Sequence, residues 1–296
     1  MILYIVYNTD LLEIPSNPNK DTIGYVDNTI LIAIGNNFDK TTAKLEEMME
    51  QKQGGFEWVT HHNSRFELSK VAVMHLSQRT VPAPKGTKKM KLYKLAPKLM
   101  LRGQTVTSVD TYKYLGVLVN RELRWTAHVQ YAKAKATAWV LMFRRLTKPT
   151  TGVWLSLMRQ LYLAVGIPKM MYAADVWYTP PHKPIGHKWN TGLAGALHTL
   201  AQVQQLALLA MTGALQSTAS NVLEGHANIL PMETTLLLIC KRAWVRTCTL
   251  PNSHPLHYLA GVPYRLTQKP KQHKNAMTKL RWLSGIEPDT MKKIGN

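Results

Sequence analysis

Ile23-Gly24-Tyr25-Val26-Asp27-Asn28-Thr29-Ile30-Leu31-Ile32-Ala33-Ile34 joins two apolar, β-branched runs through a polar tip that carries one carboxylate. Such residues suit a pleated surface, and the polar break between them predicts a β-hairpin over Thr22–Gly35, with Asn28 and its neighbours tolerating the turn. An acid on a rigid turn can ligate a hard divalent cation, which prefers carboxylate oxygens and keeps part of its water. The plainer alternative is that Asp27 is only a turn residue.

The rest of the chain gives this hairpin its context. At 296 residues it can form one large or two ordinary domains, and 45% apolar content argues against disorder. The net charge is +20, unevenly spread: residues 1–67 carry 5 Lys/Arg against 10 Asp/Glu, and residues 68–296 carry 32 against 7. An acidic front before a strongly basic remainder suits a metal site beside a cradle for a polyanion; a solvated basic surface is the alternative. Cys240 and Cys248 lie eight apart in one predicted helix, without zinc or disulfide spacing, and read as buried or idle thiols in a reducing compartment. The apolar start Met1–Tyr7 has no basic lead and is interrupted by Asn8 and Asp10, so no secretory leader is expected. Leu193–Met211 is the nearest approach to a membrane span, but His198, Gln202, Gln204 and Gln205 predict a buried helix instead. An intracellular protein, nuclear or cytoplasmic and without a membrane partner, is expected.

Along the chain, Phe38–Gln53 reads as a helix that Thr41 and Thr42 can cap and Gly54-Gly55 ends. Phe66–Leu76 alternates as a strand, and Thr80–Lys91, with Pro82, Pro84 and Gly86, reads as a loop. Residues 85–102 hold seven basic residues and no acid. Val106–Val119 is strand-like. Ala127–Leu146, Gly152–Val165, Gly192–Met211 and Pro231–Leu250 are predicted helices, Pro231 suiting a first helical position and Glu233 the first turn. Pro, His, Lys and Gln dominate after Leu250, with a basic tail over Arg265–Arg281. His61-His62 does not read as a chelating pair, because neighbours on a strand point to opposite faces.

The ordered set of boxes resembles the palm end and thumb of a reverse transcriptase, worded as in non-LTR (LINE-type) retrotransposons and especially fungal ones. Tyr25-Val26-Asp27-Asn28 is similar to the Tyr-x-Asp-Asp box, with Asn28 in place of its second aspartate. Leu3–Leu12 resembles the stretch after the Gln-Gly-Ser-Pro box, and Asn63–Glu67 with Ser69-Lys70 resembles the following palm motif, which carries a lysine. Lys113-Tyr114-Leu115-Gly116 with Trp125 resembles the primer-grip hairpin, and Tyr162, Pro168, Tyr172–Ala174 and Val176-Trp177 the segment beyond it.

The resemblance implies an α+β fold: a truncated palm sheet with primer grip over residues 1–124, a helical thumb-like region over 125–250, and a basic tail over 251–296. It implies Mg2+ or Mn2+ at Asp27, with Asn28 beside it as an uncharged donor. Lys70 would donate a proton or neutralise departing pyrophosphate, and Tyr114, Leu115 and Gly116 would hold the primer end. Lys133, Lys135, Arg144 and Arg145 would follow the phosphates of an RNA and DNA primer–template duplex. A turn residue, a surface lysine, a packed β-turn and a solvated helix are the respective alternatives. Trp139, Trp154 and Trp177 could stack on bases, although helical aromatics are more often core.

The departures bear on activity. The family's first metal-binding carboxylate and its nucleotide-binding box fall before the segment that this sequence matches. Two-metal phosphoryl transfer needs two cations about 3.5–4 Å apart, and one carboxylate can hardly hold both. The expectation is a fragment of an RNA-directed DNA polymerase, inactive alone. The rivals are a chain that polymerises, alone or with a separate fingers–palm piece, a non-catalytic RNA- or DNA-binding protein, and a decayed reading frame.

Overall fold

A computed structural model describes residues 6–14, 18–77, 80–82, 91–93, 96–147, 152–181, 192–254 and 256. The fold mixes helices with small sheets, an α+β arrangement. It forms two compact units, Met1–Arg124 and Trp125–Asn296. The expected tail over 265–281 lies outside the described residues, as do residues 83–90 of the expected loop Thr80–Lys91, whose two ends are paired strands instead.

The first unit includes a short helix, α1 (Thr9–Leu12), followed by the antiparallel strands β1 (Lys20–Tyr25) and β2 (Asn28–Ala33). Tyr25 pairs with Asn28, so the turn is Val26-Asp27 and Asn28 is already in the strand, one position from the expected tip. Helix α2 (Phe38–Glu50) starts at Asn37, whose side chain accepts from the Lys40 amide at 2.9 Å. Thr41 and Thr42, the expected caps, lie inside it: the Thr41 hydroxyl donates to the Phe38 carbonyl, and Thr42 is buried. The helix stops at Glu50 without a glycine. Gly54 instead precedes a further helix, α3 (Gly55–His61), which the sequence pattern does not announce. A Cβ on Gly54 would lie 2.7 Å from the Gln51 carbonyl oxygen, so the tight link between the helices needs that glycine. His61 and His62 therefore sit at a helix end rather than on the expected strand.

Phe66–Leu76 is not a continuous strand. It contains a 3-10 turn (Leu68–Lys70) and the two-residue β3 (Ala72–Val73), because Phe66, Leu68 and Val71 turn toward the core at uneven spacing. The remaining strands are β4 (Thr80–Pro82), β5 (Lys91–Tyr93), β6 (Met100–Leu101), β7 (Gln104–Thr105), β8 (Thr107–Ser108), β9 (Thr111–Tyr114) and β10 (Val117–Asn120). Beyond the β1–β2 hairpin they pair as β4–β5, β6–β7 and β9–β10, antiparallel, and β3–β8, parallel. Leu11, Ile14, Met48, Phe56, Val73 and Leu101 are among the buried residues of one core.

The second unit is helical. Helix α4 (Thr126–Phe143) buries His128, Val129, Ala132, Ala136, Val140 and Phe143 and ends in a 3-10 turn, Arg144–Leu146. Helix α5 (Leu155–Leu161) runs through a π turn (Tyr162–Gly166) into α6 (Ile167–Met170). Pro168 lacks an amide proton, and a π turn is one way a helix absorbs such a gap. Gly166 lies against Trp139, where a Cβ would sit 2.7 Å from the indole. Then follow α7 (Ala174–Trp177), α8 (Ala194–Thr212), α9 (Ser220–Ala227) and α10 (Met232–Cys248). Gly213 and Asn228 end α8 and α9 in the left-handed conformation, satisfying terminal carbonyls. Pro231 precedes α10 rather than occupying its first turn. Cys240 and Cys248 are free and buried, and burial pushes the Cys240 thiol up to about 12. Among the described residues no helix is long and apolar enough to cross a membrane.

Candidate functional site

The β1–β2 hairpin carries Asp27 into solvent on a two-residue turn. Val26 adopts φ 55°, a conformation that β-branched residues rarely take. The amide of Asn8 donates to the Val26 carbonyl at 2.7 Å, and Leu12 packs where a Cβ on Gly24 would come within 2.6 Å. Thus α1 holds the tip from one side. It is tied in turn to the end of α3: the Tyr7 hydroxyl donates to the His62 carbonyl at 2.5 Å, and His62 Nε2 lies 3.6 Å from the Asp10 carboxylate. Sequence reasoning assigned no role to Asn8. Its partner is 18 residues away, and no local pattern announces the bond.

The donor set at the tip is poor for divalent cations. Asn28 Nδ2 donates to Asp27 Oδ1 at 3.4 Å, so the amide faces the acid as a donor. Among the described residues, no group of three or more His, Cys, Asp or Glu side chains could hold a metal ion. Mg2+ or Mn2+ in two-metal chemistry is shared among several carboxylates, and this pair does not fit that requirement.

Lys70 sits on the 3-10 turn, not on a strand. Its ammonium lies 2.5 Å from Glu67, which also accepts from the Ser69 hydroxyl at 3.1 Å. The Lys70 hydrogen bond, then that of Ser69, holds Glu67 below the usual carboxylate range, and Glu67 in return raises Lys70. Both are exposed. As placed, the lysine is engaged with its own turn.

Tyr114 pairs with Val117 across the β9–β10 hairpin, leaving Leu115 (φ 44°) and Gly116 (φ 84°) as the turn. Two left-handed residues define the tight turn whose twist matches the strands, and Gly116 takes it without strain. Tyr114 is half-buried, and burial raises its hydroxyl. Leu115 is exposed at the tip. The expected hairpin is present, with an apolar residue exposed at its turn.

The four cations expected to follow one backbone do not share a face. Lys133 and Lys135 are two residues apart, about 200° around a helix, and flank the buried stripe of α4 on opposite sides. Lys133 reaches Gln202 at 3.5 Å, whereas Lys135 lies over the Tyr131 ring at 5.0 Å. Arg144 and Arg145 project from the 3-10 turn and are exposed. The tryptophans also divide. Trp177 is fully buried and donates to the Tyr172 carbonyl at 2.8 Å, and Trp139 stacks on Phe143, but Trp154 is 82% exposed.

One buried polar group was missed as a structural centre. Gln204 accepts from the Tyr162 hydroxyl at 3.3 Å and donates to Glu224 at 2.8 Å and to the Leu230 carbonyl at 3.1 Å. It joins the π turn, α8, α9 and the start of α10. Burial, then Glu224, raises the Tyr162 hydroxyl far above its ordinary value. A glutamine within an apolar helix was the available signal.

No family model matches this chain, and no solved structure matches it. Over 128 residues it is 23% identical to the Retrovirus-related Pol polyprotein from type-1 retrotransposable element R1 3 of Nasonia vitripennis, a match over 43% of this chain and 32% of that protein. The chain thus spans about a third of this relative's length. The likeness supports a retrotransposon origin.

Proposed function

We propose that this chain is the C-terminal palm and thumb portion of a LINE-type reverse transcriptase, of the kind found in fungal elements, and that by itself it holds primer–template without extending it. The observation that carries this reading is the similarity to a retrotransposon Pol polyprotein. Two features of the fold support it. One hairpin presents Asp27, and a second, in the same unit, presents Leu115 and Gly116 on a tight turn. A helical unit with exposed cations follows.

In this reading residues 1–124 are a partial palm with its primer grip, 125–250 are thumb-like, and 251–296 are a basic tail. Asp27 and Asn28 mark the ancestral metal position, and Lys70 the lysine beside it. Tyr114, Leu115 and Gly116 touch the primer, while Lys133, Lys135, Arg144 and Arg145 contact phosphates on more than one side of α4. A fingers–palm piece supplied in trans would have to bring carboxylates for Mg2+ or Mn2+. The setting is intracellular, in nucleus or cytoplasm, where RNA and DNA partners are met.

A specific observation favours a second reading, a non-catalytic RNA- or DNA-binding protein: Asn28 donates to Asp27, and Lys70 is occupied by Glu67. Both readings require nucleic-acid binding. A fluorescein-labelled RNA–DNA primer–template titrated at several salt concentrations tests them together. The association constant is expected to fall log-linearly with salt, with a slope of about −0.9 for each phosphate neutralised. Absence of binding at low salt would remove both.

A further inference from the structure

We infer that Trp154, with Arg144 and Arg145, forms a stacking site for an unpaired base of single-stranded nucleic acid, an inference that rests on the nucleic-acid reading above and adds a strand preference to it. Trp154 stands immediately before α5, where Ser, Thr, Asp or Asn would ordinarily cap the helix. It offers no side-chain cap and leaves its indole 82% exposed, unlike Trp177 and Trp244, which are buried in the same unit. Its backbone is nevertheless fixed, since its carbonyl accepts from the Met158 amide at 3.0 Å. The ring is therefore held outward from an ordered helix start.

What stands next to it is basic. The Val153 amide donates to the Leu146 carbonyl at 2.9 Å, stitching the residue before Trp154 to the Arg144–Leu146 turn. Arg144 and Arg145 are exposed, and neither makes an ion pair among the described residues. Residues 123–174 carry eight Lys/Arg and no acid, so nothing in this stretch neutralises the turn. Leu146, Val153 and Leu157 add exposed apolar surface around it.

A flat exposed ring beside a turn whose guanidinium groups make no ion pair among the described residues matches a base and its flanking phosphates. Stacking on an aromatic side chain tolerates any base because each has a π-face, and arginine supplies phosphate contact. In a duplex the base faces are already stacked on their neighbours, so the site selects single strands. A purely phosphate-binding surface would need no indole, and a purely apolar protein contact would not need two exposed arginines.

The test uses the full chain and three probes of equal length: a labelled 12-nucleotide oligoadenylate, an abasic oligonucleotide, and a duplex. Trp154→Ala is expected to weaken oligoadenylate binding by about 5-fold to 100-fold. Trp154→Phe, which keeps a ring, is expected to hold most of the affinity. Neither change should alter abasic or duplex binding. Arg144→Gln with Arg145→Gln should flatten the salt dependence on oligoadenylate by about 1.4 in slope, at about 0.7 per single-strand phosphate. Equal oligoadenylate binding by wild type and Trp154→Ala would overturn the stacking site while leaving the nucleic-acid reading intact. Loss of self-association in Trp154→Ala, with oligoadenylate affinity unchanged, would overturn it in favour of a protein contact. No binding by wild type to any probe would remove the broader reading with it.

Discussion

The two units are stabilised in different ways. The helical unit gathers 26 buried residues, among those described, into one cluster, from Val129 on α4 to Cys248 on α10. Among the described residues the first unit gathers 11, and their strands pair two by two. Helices satisfy their backbone internally, so a bundle can devote its side chains to one core. Two-stranded pairings leave edges and depend on ties from elsewhere. In the first unit those ties are visible: Asn8 to Val26, Tyr7 to His62, and Lys20 to Glu47 at 2.6 Å. The hairpins that the proposed function uses therefore stand on the less consolidated part of the molecule.

The largest test of this contrast is Trp177→Ala. It removes a fully buried indole and its bond to Tyr172, and should cost about 3–5 kcal/mol. Hydrogen exchange resolved by unit should show faster exchange in α4, α8 and α10, with α2 and α3 unchanged. Uniform loss across both units would mean that they unfold as one, and the contrast would fail. Gln204→Leu should follow. It strands the Tyr162 hydroxyl and one oxygen of Glu224, at about 1–3 kcal/mol for each orphaned group, measured by urea denaturation. An effect near zero would mean that water replaces the glutamine.

In the hairpin unit a substitution should stabilise. Val26 holds φ 55°, so Val26→Gly should relieve strain and raise the unit's stability by about 1 kcal/mol. A loss of stability would show that the Val26 side chain contributes more than its backbone costs. The smallest expected effect is that of pH. Burial lowers both His128, in the helical unit, and His75, in the first, below the ordinary 6.5, with Arg121 adding to the shift at His75. Both fold as neutral rings while the unfolded chain takes up protons. Stability should therefore be full above about pH 6.5 and decline as pH falls below it. His128→Gln should lessen that decline in the helical unit alone, read by thermal melts between pH 7 and about pH 5.

The same contrast explains what the sequence disclosed. The long helices were legible because apolar residues recur at helical spacing over many turns, as in Ala194–Thr212. The ends were not. Asn37, rather than Thr41 or Thr42, caps α2, and a glycine read as a stop begins the next helix. The β1–β2 hairpin was placed correctly, but its turn falls on Val26, a residue that turn chemistry would not choose and that Asn8 holds from a distance. At the candidate site, the Lys70–Glu67 pair and the opposed directions of Lys133 and Lys135 follow from spacing alone and were legible in principle. The exposure of Trp154 was not, because an indole before a helix looks the same in sequence whether it is buried or bare.

Primer extension on an RNA template, with Mg2+ and then Mn2+, beside Asp27→Ala, tests the central claim most directly. The account predicts that the chain binds the primer–template and adds no nucleotide with either metal. Extension by the wild type that Asp27→Ala abolishes would contradict it, and would mean that Asp27 works with carboxylates that the described residues do not bring to it.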